Sequence, residues 1–263
     1  MKKIEYKYLV PDRLLASFRQ ALMPYVIWDK YSELRVDKHY TVKTIYFDTS
    51  RLDFYQEKLS GLKRRKKIRI RGYNEATPDK LVYLEIKRKD GQIISKSRAP
   101  LPYSHLSDTL LNNGIEEFII CDNENENLKN GKSFLYYLRS QNLIPTIKVV
   151  YEREAYFARM NPNLRITLDS NLRSSLQVEY EGFFEDRNMI YAIPTRSILE
   201  IKTSSGFPFW LQQLIGSKGL QLQALSKYTI CMETHTRYEH QLHRSMTSHA
   251  KFGTFRRKTK LIG

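Results

Sequence analysis

Five short stretches of this chain alternate charged with apolar residues: Ile4-Glu5-Tyr6-Lys7-Tyr8, Ile68-Arg69-Ile70-Arg71, Leu84-Glu85-Ile86-Lys87, Leu164-Arg165-Ile166-Thr167-Leu168-Asp169 and Leu199-Glu200-Ile201-Lys202. In a strand, side chains two apart share a face, so each stretch presents one charged and one apolar face. A lone strand of this kind ordinarily sets its apolar side on a core and its charged side in water. Here the pattern repeats, and the polar faces are mostly Arg and Lys with a few carboxylates. If the apolar sides pack outward against helices, the charged sides line an interior. A closed or nearly closed sheet filled that way is stable only when a polyanion or counterions occupy it. The expectation is a phosphate-binding tunnel.

Charge supports an anionic partner. Lys and Arg number 44 against 28 Asp and Glu, a formal net charge of +16 over 263 residues, which suits nucleic acid, inositol phosphate, nucleotide, polyphosphate or lipid headgroups alike. The length fits a single barrel with appended helices. No run approaches the roughly eighteen apolar residues of a membrane span, and Met1-Lys2-Lys3-Ile4-Glu5 leads straight into a charged strand instead of a signal-peptide apolar region. A soluble, cytoplasmic protein is expected. Cys121 and Cys231 are too few and too unpatterned for a disulfide framework or thiolate zinc site.

Patterning along the chain predicts a helix over Arg13–Met23 with Asp12 as N-cap, a strand at Val42–Asp48, a helical turn over Ser50–Lys58 and a strand from about Lys66 to Tyr73. A strand over Leu81–Lys89 turns at Asp90-Gly91 into Ile93–Arg98. Leu106–Leu111, Ile115–Ile120 and Ser133–Gln141 are predicted helical around an Asn-rich acidic loop, Asp122–Asn130, so a helical insertion is expected near 104–142. Strands are predicted at Thr146–Phe157, Leu164–Asp169, Ser175–Tyr180 and Arg196–Thr203, and helices at Phe209–Ile215 and Ser226–Thr236. One domain over 1–234 is expected, followed over 235–263 by a basic tail whose composition suits disorder.

Several motifs have bland readings that outweigh the functional ones. Asn130-Gly131-Lys132-Ser133 matches the end of a P-loop, but Glu126 stands where the motif needs glycine, and no buried strand precedes it. His235, Glu239 and His243, with His240 alongside, could share a helix face as metal ligands, yet nothing nearby signals a buried site. The run Lys63-Arg64-Arg65-Lys66-Lys67 divides: Lys63 to Lys66 are expected outside or at a tunnel mouth, Arg69 and Arg71 inward. Arg grips two phosphate oxygens with its planar fork, and Lys supplies a compact charge. Glu85 and Glu200 each sit two residues from a lysine on the same strand face, as an ion partner or as a ligand for a hard divalent cation.

The ordered set Glu5-Tyr6-Lys7-Tyr8-Leu9-Val10, Tyr46-Phe47-Asp48-Thr49, Arg69-Ile70-Arg71, Leu84-Glu85-Ile86-Lys87, Tyr151-Glu152-Arg153-Glu154-Ala155-Tyr156, Arg165-Ile166-Thr167-Leu168-Asp169, Leu199-Glu200-Ile201-Lys202 and Ser226-Lys227-Tyr228 resembles the catalytic domain of the vacuolar transporter chaperone (VTC) family, among the triphosphate tunnel metalloenzymes. The resemblance runs from about residue 3 to residue 233. It implies an α+β fold, an antiparallel eight-stranded β-barrel tunnel with a charged interior flanked by helices. It also implies transfer of the terminal phosphate of ATP onto inorganic polyphosphate with a manganese-type ion, or magnesium. By position, Lys7, Arg69, Arg71, Lys87, Arg153, Arg165, Lys202 and Lys227 would hold phosphates, with Arg69, Arg71, Lys87 and Lys202 at the reacting groups, and Glu200 would hold the metal.

Two positions depart from the pattern. Lys3 stands where the wider superfamily has the first acid of Glu-x-Glu-x-Lys, and Ala224 where the polymerases have a second Lys. Lys3 leaves the paired-carboxylate metal site of the hydrolytic members incomplete at this strand and so counts against a metal-dependent inorganic triphosphatase, which is the first alternative; Ala224 motivates the second, a noncatalytic module for polyphosphate or inositol phosphate. Family members often act beside a membrane component, so a membrane-protein partner is a further expectation. Specific nucleic-acid binding is not expected, because the cations alternate with apolar residues instead of clustering with exposed aromatics.

Overall fold

The structure is a computed structural model. It describes residues 4–253 apart from Pro78, Gln92, Asn113, Asn123 and Glu124, with side chains as far as His240. Lys3, the side chain of His243 and residues 254–263 of the expected tail lie outside the described residues.

The alternating stretches all fall in strands of one antiparallel sheet. Eight strands form its main path, in the order β1 (Ile4–Pro11), β10 (Arg196–Thr203), β8 (Asn161–Ser175), β7 (Ile144–Ala158), β3 (Tyr40–Asp48), β4 (Arg64–Tyr73), β5 (Leu81–Asp90) and β6 (Ile93–Pro102). The short β2 (Val26–Trp28) pairs with β7 and β9 (Ile190–Tyr191) with β8. Among the described residues β1 and β6 are not paired with each other, so hydrogen bonds do not close the sheet into a barrel. Side chains cross the gap instead: Lys87 of β5 donates to Glu5 of β1 at 2.9 Å. β8 carries an inserted residue opposite β7, where Asn171 takes a left-handed φ of 52°; such a bulge sharpens the twist of a long strand.

Alternation separates the two faces. On the convex side Ile45, Phe47, Ile68, Ile70, Leu84 and Ile86 pack in one core beneath α4 (Leu106–Asn112), α5 (Ile115–Phe118) and α6 (Glu126–Ser140). A second core joins Val10 of β1, Leu164, Ile166 and Leu168 of β8, and Leu199 and Ile201 of β10 to α1 (Asp12–Leu22) and α7 (Phe209–Ser217). The concave side is mixed. One end is filled by Ile147, Val149, Leu172 and Ile198 against Tyr228 and Cys231 of α8 (Lys227–Gly253), a helix that crosses position 235, where the tail was expected to begin. The other end carries the charges.

Two expectations change. Ser175–Tyr180 is not a strand: β8 ends at Ser175, and the following residues form a loop whose Val178 and Tyr180 pack on the first core. The Asn-rich segment is partly helical, since α6 begins at Glu126. That helix contains Asn130-Gly131-Lys132-Ser133, with Gly131 buried against Ile115 and Ile119, so the P-loop reading falls away. α2 (Lys30–Glu33) and α3 (Asp53–Leu59) complete the helices. Buried Asp48 fixes the start of α3 by accepting the N–H groups of Thr49, Phe54 and Tyr55, and it also accepts the Tyr228 hydroxyl.

Candidate functional site

β4 turns Arg69 and Arg71 toward the concave face, and antiparallel register sets Arg69 between Tyr46 and Glu85, and Arg71 between Thr44 and Tyr83. Glu85 is fully buried. It meets Arg69 at 2.8 Å, Lys96 at 2.5 Å, Arg98 at 3.5 Å and Arg71 at 4.0 Å. Burial would raise its carboxyl, but Arg69, Arg71 and Lys96 override burial and hold it far below the usual carboxylate range. Sharing one acid among four cations leaves most of their charge free.

A second cluster joins β1, β10 and β5. Lys7 lies 3.3 Å from Glu5 and 3.5 Å from Glu200; Lys202 lies 3.4 Å from Glu5 and 2.8 Å from Glu200. Burial and the charge of Glu200 push the Glu5 carboxyl up, and Lys7, Lys87 and Lys202 more than offset them, holding it at about 2. Lys87 is pushed down to about 8, first by burial and then by Lys7 and Lys202, against the pull of Glu5. Lys67 donates to the Ser226 hydroxyl at 2.7 Å and makes no ion pair among the described residues. Burial, with Lys7, Lys87 and Arg69, presses its pKa well below that of a free lysine.

Farther along, Arg153 grips buried Asp169 through two hydrogen bonds of 2.6 and 2.7 Å, and Lys227 reaches the same carboxylate at 2.5 Å. Arg165 pairs with Asp29 at 3.0 Å. These clusters surround a cavity of about 1030 Å³ whose described lining holds nine Lys and Arg against one carboxylate, Glu5. Its described lining includes no Ser, Thr, Cys or His, and the arrangement is suited first to binding and neutralising a polyanion.

Six of the residues expected to hold phosphate line this cavity: Arg69, Arg71, Lys87, Arg153, Arg165 and Lys202. Lys7 and Lys227 stand behind that lining, joined to it through Glu5 and Asp169. Glu200 is buried beside Glu5, the two carboxylates flanking the same pair of lysines. Two adjacent hard oxygen donors, with phosphate oxygens completing the coordination, suit a divalent cation such as Mn²⁺ or Mg²⁺, and the donor set fits. Glu85 does not, because no second carboxylate among the described residues shares its four cations. His235 is buried and bonded to the Ser174 hydroxyl at 3.1 Å, whereas Glu239 is exposed; among the described residues no group of three or more metal-ligating side chains occurs.

Sequence reasoning missed Lys96 and Arg98 as site cations, and Glu5 as the companion of Glu200. The alternation Ser95-Lys96-Ser97-Arg98 was the available signal. Along the Lys63 to Lys67 run, Lys63 and Arg64 are exposed and Arg65, Lys66 and Lys67 half-buried, and beyond it Arg69 and Arg71 are buried. At Ala224 the missing side chain has a neighbour: Lys58 of α3 donates to its carbonyl at 3.3 Å. No helix among the described residues is long and apolar enough to cross a membrane.

Among solved structures the chain is similar to a candidate adenylyl cyclase from Hippeastrum with a dominant triphosphatase activity, at 14% identity and a TM-score of 0.47, covering 89% of this chain and 96% of that one. It is similar also to candidate adenylate cyclases from Bacillus halodurans, at 14% identity and 0.46, covering 86% and 96%, and from Vibrio parahaemolyticus, at 12% and 0.42, covering 88% and 97%. No curated protein matches the chain. The VTC domain profile matches residues 2–236, a span that takes in every strand of the sheet and every cation of the cavity, and the chain belongs to the VTC domain family.

Proposed function

We propose that the protein is a polyphosphate polymerase, acting through residues 1–234 as one catalytic unit, that transfers the terminal phosphate of ATP onto inorganic polyphosphate. The observation that carries this reading is the cavity itself, where nine cations face one carboxylate among the described lining residues. Phosphoryl transfer needs little from a protein beyond positioning and charge stabilisation. A terminal oxygen of the acceptor phosphate forms the new bond to the γ-phosphorus, while the bond to the β–γ bridging oxygen breaks and its electron pair leaves with ADP.

Arg69, Arg71, Lys87 and Lys202 hold the transferring phosphate and neutralise its oxygens. Lys7, Arg153, Arg165 and Lys227 bind neighbouring phosphates, directly or after giving up their present carboxylates. Glu200, with Glu5, would hold a manganese or magnesium ion, which when bound supplies positive charge to the triphosphate oxygens. Glu5 beside Glu200 also favours a second reading, a metal-dependent triphosphatase in which water replaces the acceptor phosphate.

Incubation with ATP and Mn²⁺ or Mg²⁺, followed by gel separation of the products, tests the proposal. A ladder of phosphate polymer is expected, and Arg69→Ala or Arg71→Ala should abolish it in a folded protein. Phosphate release without polymer would favour the triphosphatase. Tight tripolyphosphate binding with no turnover would leave a binding module.

A further inference from the structure

One end of the cavity is built of different material from the rest. Its lining includes Tyr31, Tyr40, Tyr73 and Tyr83 together with Asn74. The four rings form a continuous row of edge-to-face contacts, with centroids 6.4 Å apart from Tyr31 to Tyr40, 6.0 Å from Tyr40 to Tyr73 and 6.1 Å from Tyr73 to Tyr83. Arg98 continues the row, its guanidinium lying 3.4 Å from the Tyr83 ring centre. Sheet register places this row at one end of the charged track. Along the concave face of β4 the order is Lys67, Arg69, Arg71, Tyr73, and along β5 it is Lys87, Glu85, Tyr83.

A purely structural role accounts for Tyr40, which is buried, packs in the concave core and accepts a hydrogen bond from Arg165. Tyr73 rests on the edge of the same core and Tyr83 against Arg98, contacts that leave the remaining surface of each ring turned to the cavity. Both are only half-buried, both face the cavity, and neither hydroxyl has a hydrogen-bond partner among the described residues. Asn74 accepts the Thr41 N–H through Oδ1, which leaves its amide N–H groups available at the same rim. Inorganic phosphate has no apolar surface for an aromatic wall to cover. A nucleobase has two π-faces and edge acceptors, and stacks on aromatic rings regardless of its identity.

We infer that this tyrosine-lined end is a nucleobase subsite, in which the base of a nucleoside triphosphate packs against Tyr73 and Tyr83, its edge meets Asn74, and its phosphates run inward toward Lys87 and Glu5. The inference deepens the functional reading above and rests on it: it makes a nucleoside triphosphate the donor and fixes which way the donor enters.

Calorimetric titration of the whole protein with ATP and with inorganic tripolyphosphate, in wild type and in Tyr73→Ala and Tyr83→Leu, tests it. Losing one stacking surface should weaken ATP binding about tenfold or more and leave tripolyphosphate binding unchanged; Tyr73→Phe should retain the wild-type ratio. Unchanged tripolyphosphate binding also reports an intact fold. Should either variant fail to fold, saturation transfer from protein aromatic protons to the adenine protons of ATP in wild type decides the matter: transfer supports the subsite, and its absence with ATP bound overturns it. Binding of both ligands with an affinity ratio indifferent to Tyr73 and Tyr83 overturns the inference alone. Wild-type protein that binds neither overturns the functional reading and the inference with it.

Discussion

Glu85 is the one fully buried carboxylate that Arg69, Arg71, Lys96 and Arg98 share. It holds the guanidinium groups in place before any ligand arrives, and Glu85→Gln would leave that cluster without a counter-charge. Removing one partner of a buried ion cluster costs about 3–5 kcal/mol. Urea unfolding of Glu85→Gln should show a loss of that order, partly recovered by tripolyphosphate, which replaces the missing negative charge. Stability equal to wild type would show that the cluster does not need its acid. Lys87 gives a prediction in pH. Its pKa of about 8 lies below the ordinary lysine value of 10.5, so between those values the unfolded chain binds more protons than the folded one, and this residue's contribution to stability rises with pH. Ligand binding has the opposite sign. A bound phosphate favours the charged ammonium, so tripolyphosphate should bind with proton uptake at about pH 9 and progressively more weakly as pH climbs past about 8. Titration calorimetry in buffers of different ionisation enthalpy measures the uptake, and Lys87→Met should reduce it, leaving the share of Lys96, which burial likewise pushes down to about 8.

Between β8 and β9 a loop straps the convex sheet face at β4. Lys43 donates to the Phe184 carbonyl at 2.6 Å and pairs with Asp186, and Lys148 donates to the Gly182 carbonyl at 2.6 Å. Phe183 and Phe184 lie where Gly72 has no side chain: a Cβ there would meet their ring carbons at 2.5 and 2.8 Å. Gly72→Ala should destabilise the protein by about 1–3 kcal/mol through overpacking, read as a lower urea midpoint at unchanged slope. The effect should also reach the site, because Gly72 separates Arg71 from Tyr73. The strap was illegible in the sequence. Leu176, Val178 and Tyr180 alternate as a strand would, and only the tertiary surface they cover makes the segment a loop. The inner strands were legible because hydrocarbon on one face and charge on the other are both compulsory there. β6 is an edge strand, and on its outer side Ser97, not an apolar residue, meets Arg88 at 2.8 Å. Lys96 and Arg98 consequently lacked the apolar punctuation that marked Arg69 and Arg71. Asp29, the partner of Arg165, sits before a helix of four residues that no periodicity could reveal.

A chain with a formal net charge of +16 that gathers nine cations around one cavity folds against its own electrostatic repulsion. Four inward carboxylates, Glu5, Glu85, Asp169 and Glu200, relieve part of it through ion pairs. The gap between β1 and β6 is spanned by Glu5 and Lys87 instead of backbone hydrogen bonds. The charged cavity is therefore the weak part of the molecule, and a polyanion bound inside it should act as a structural element. Any ligand that binds only the folded state stabilises it by mass action, about 2.7 kcal/mol at a hundred times its dissociation constant. Tripolyphosphate should raise the unfolding temperature by several degrees, and less so at high salt, because the lysines nearest the mouth are partly screened. Single-stranded DNA separates an enclosed site from a merely basic surface: its bulk keeps it out of a cavity this size, so at equal phosphate concentration it should shift the unfolding temperature far less than tripolyphosphate does. Equal shifts from the two polyanions would mean that surface charge, and not the curled sheet, selects the ligand.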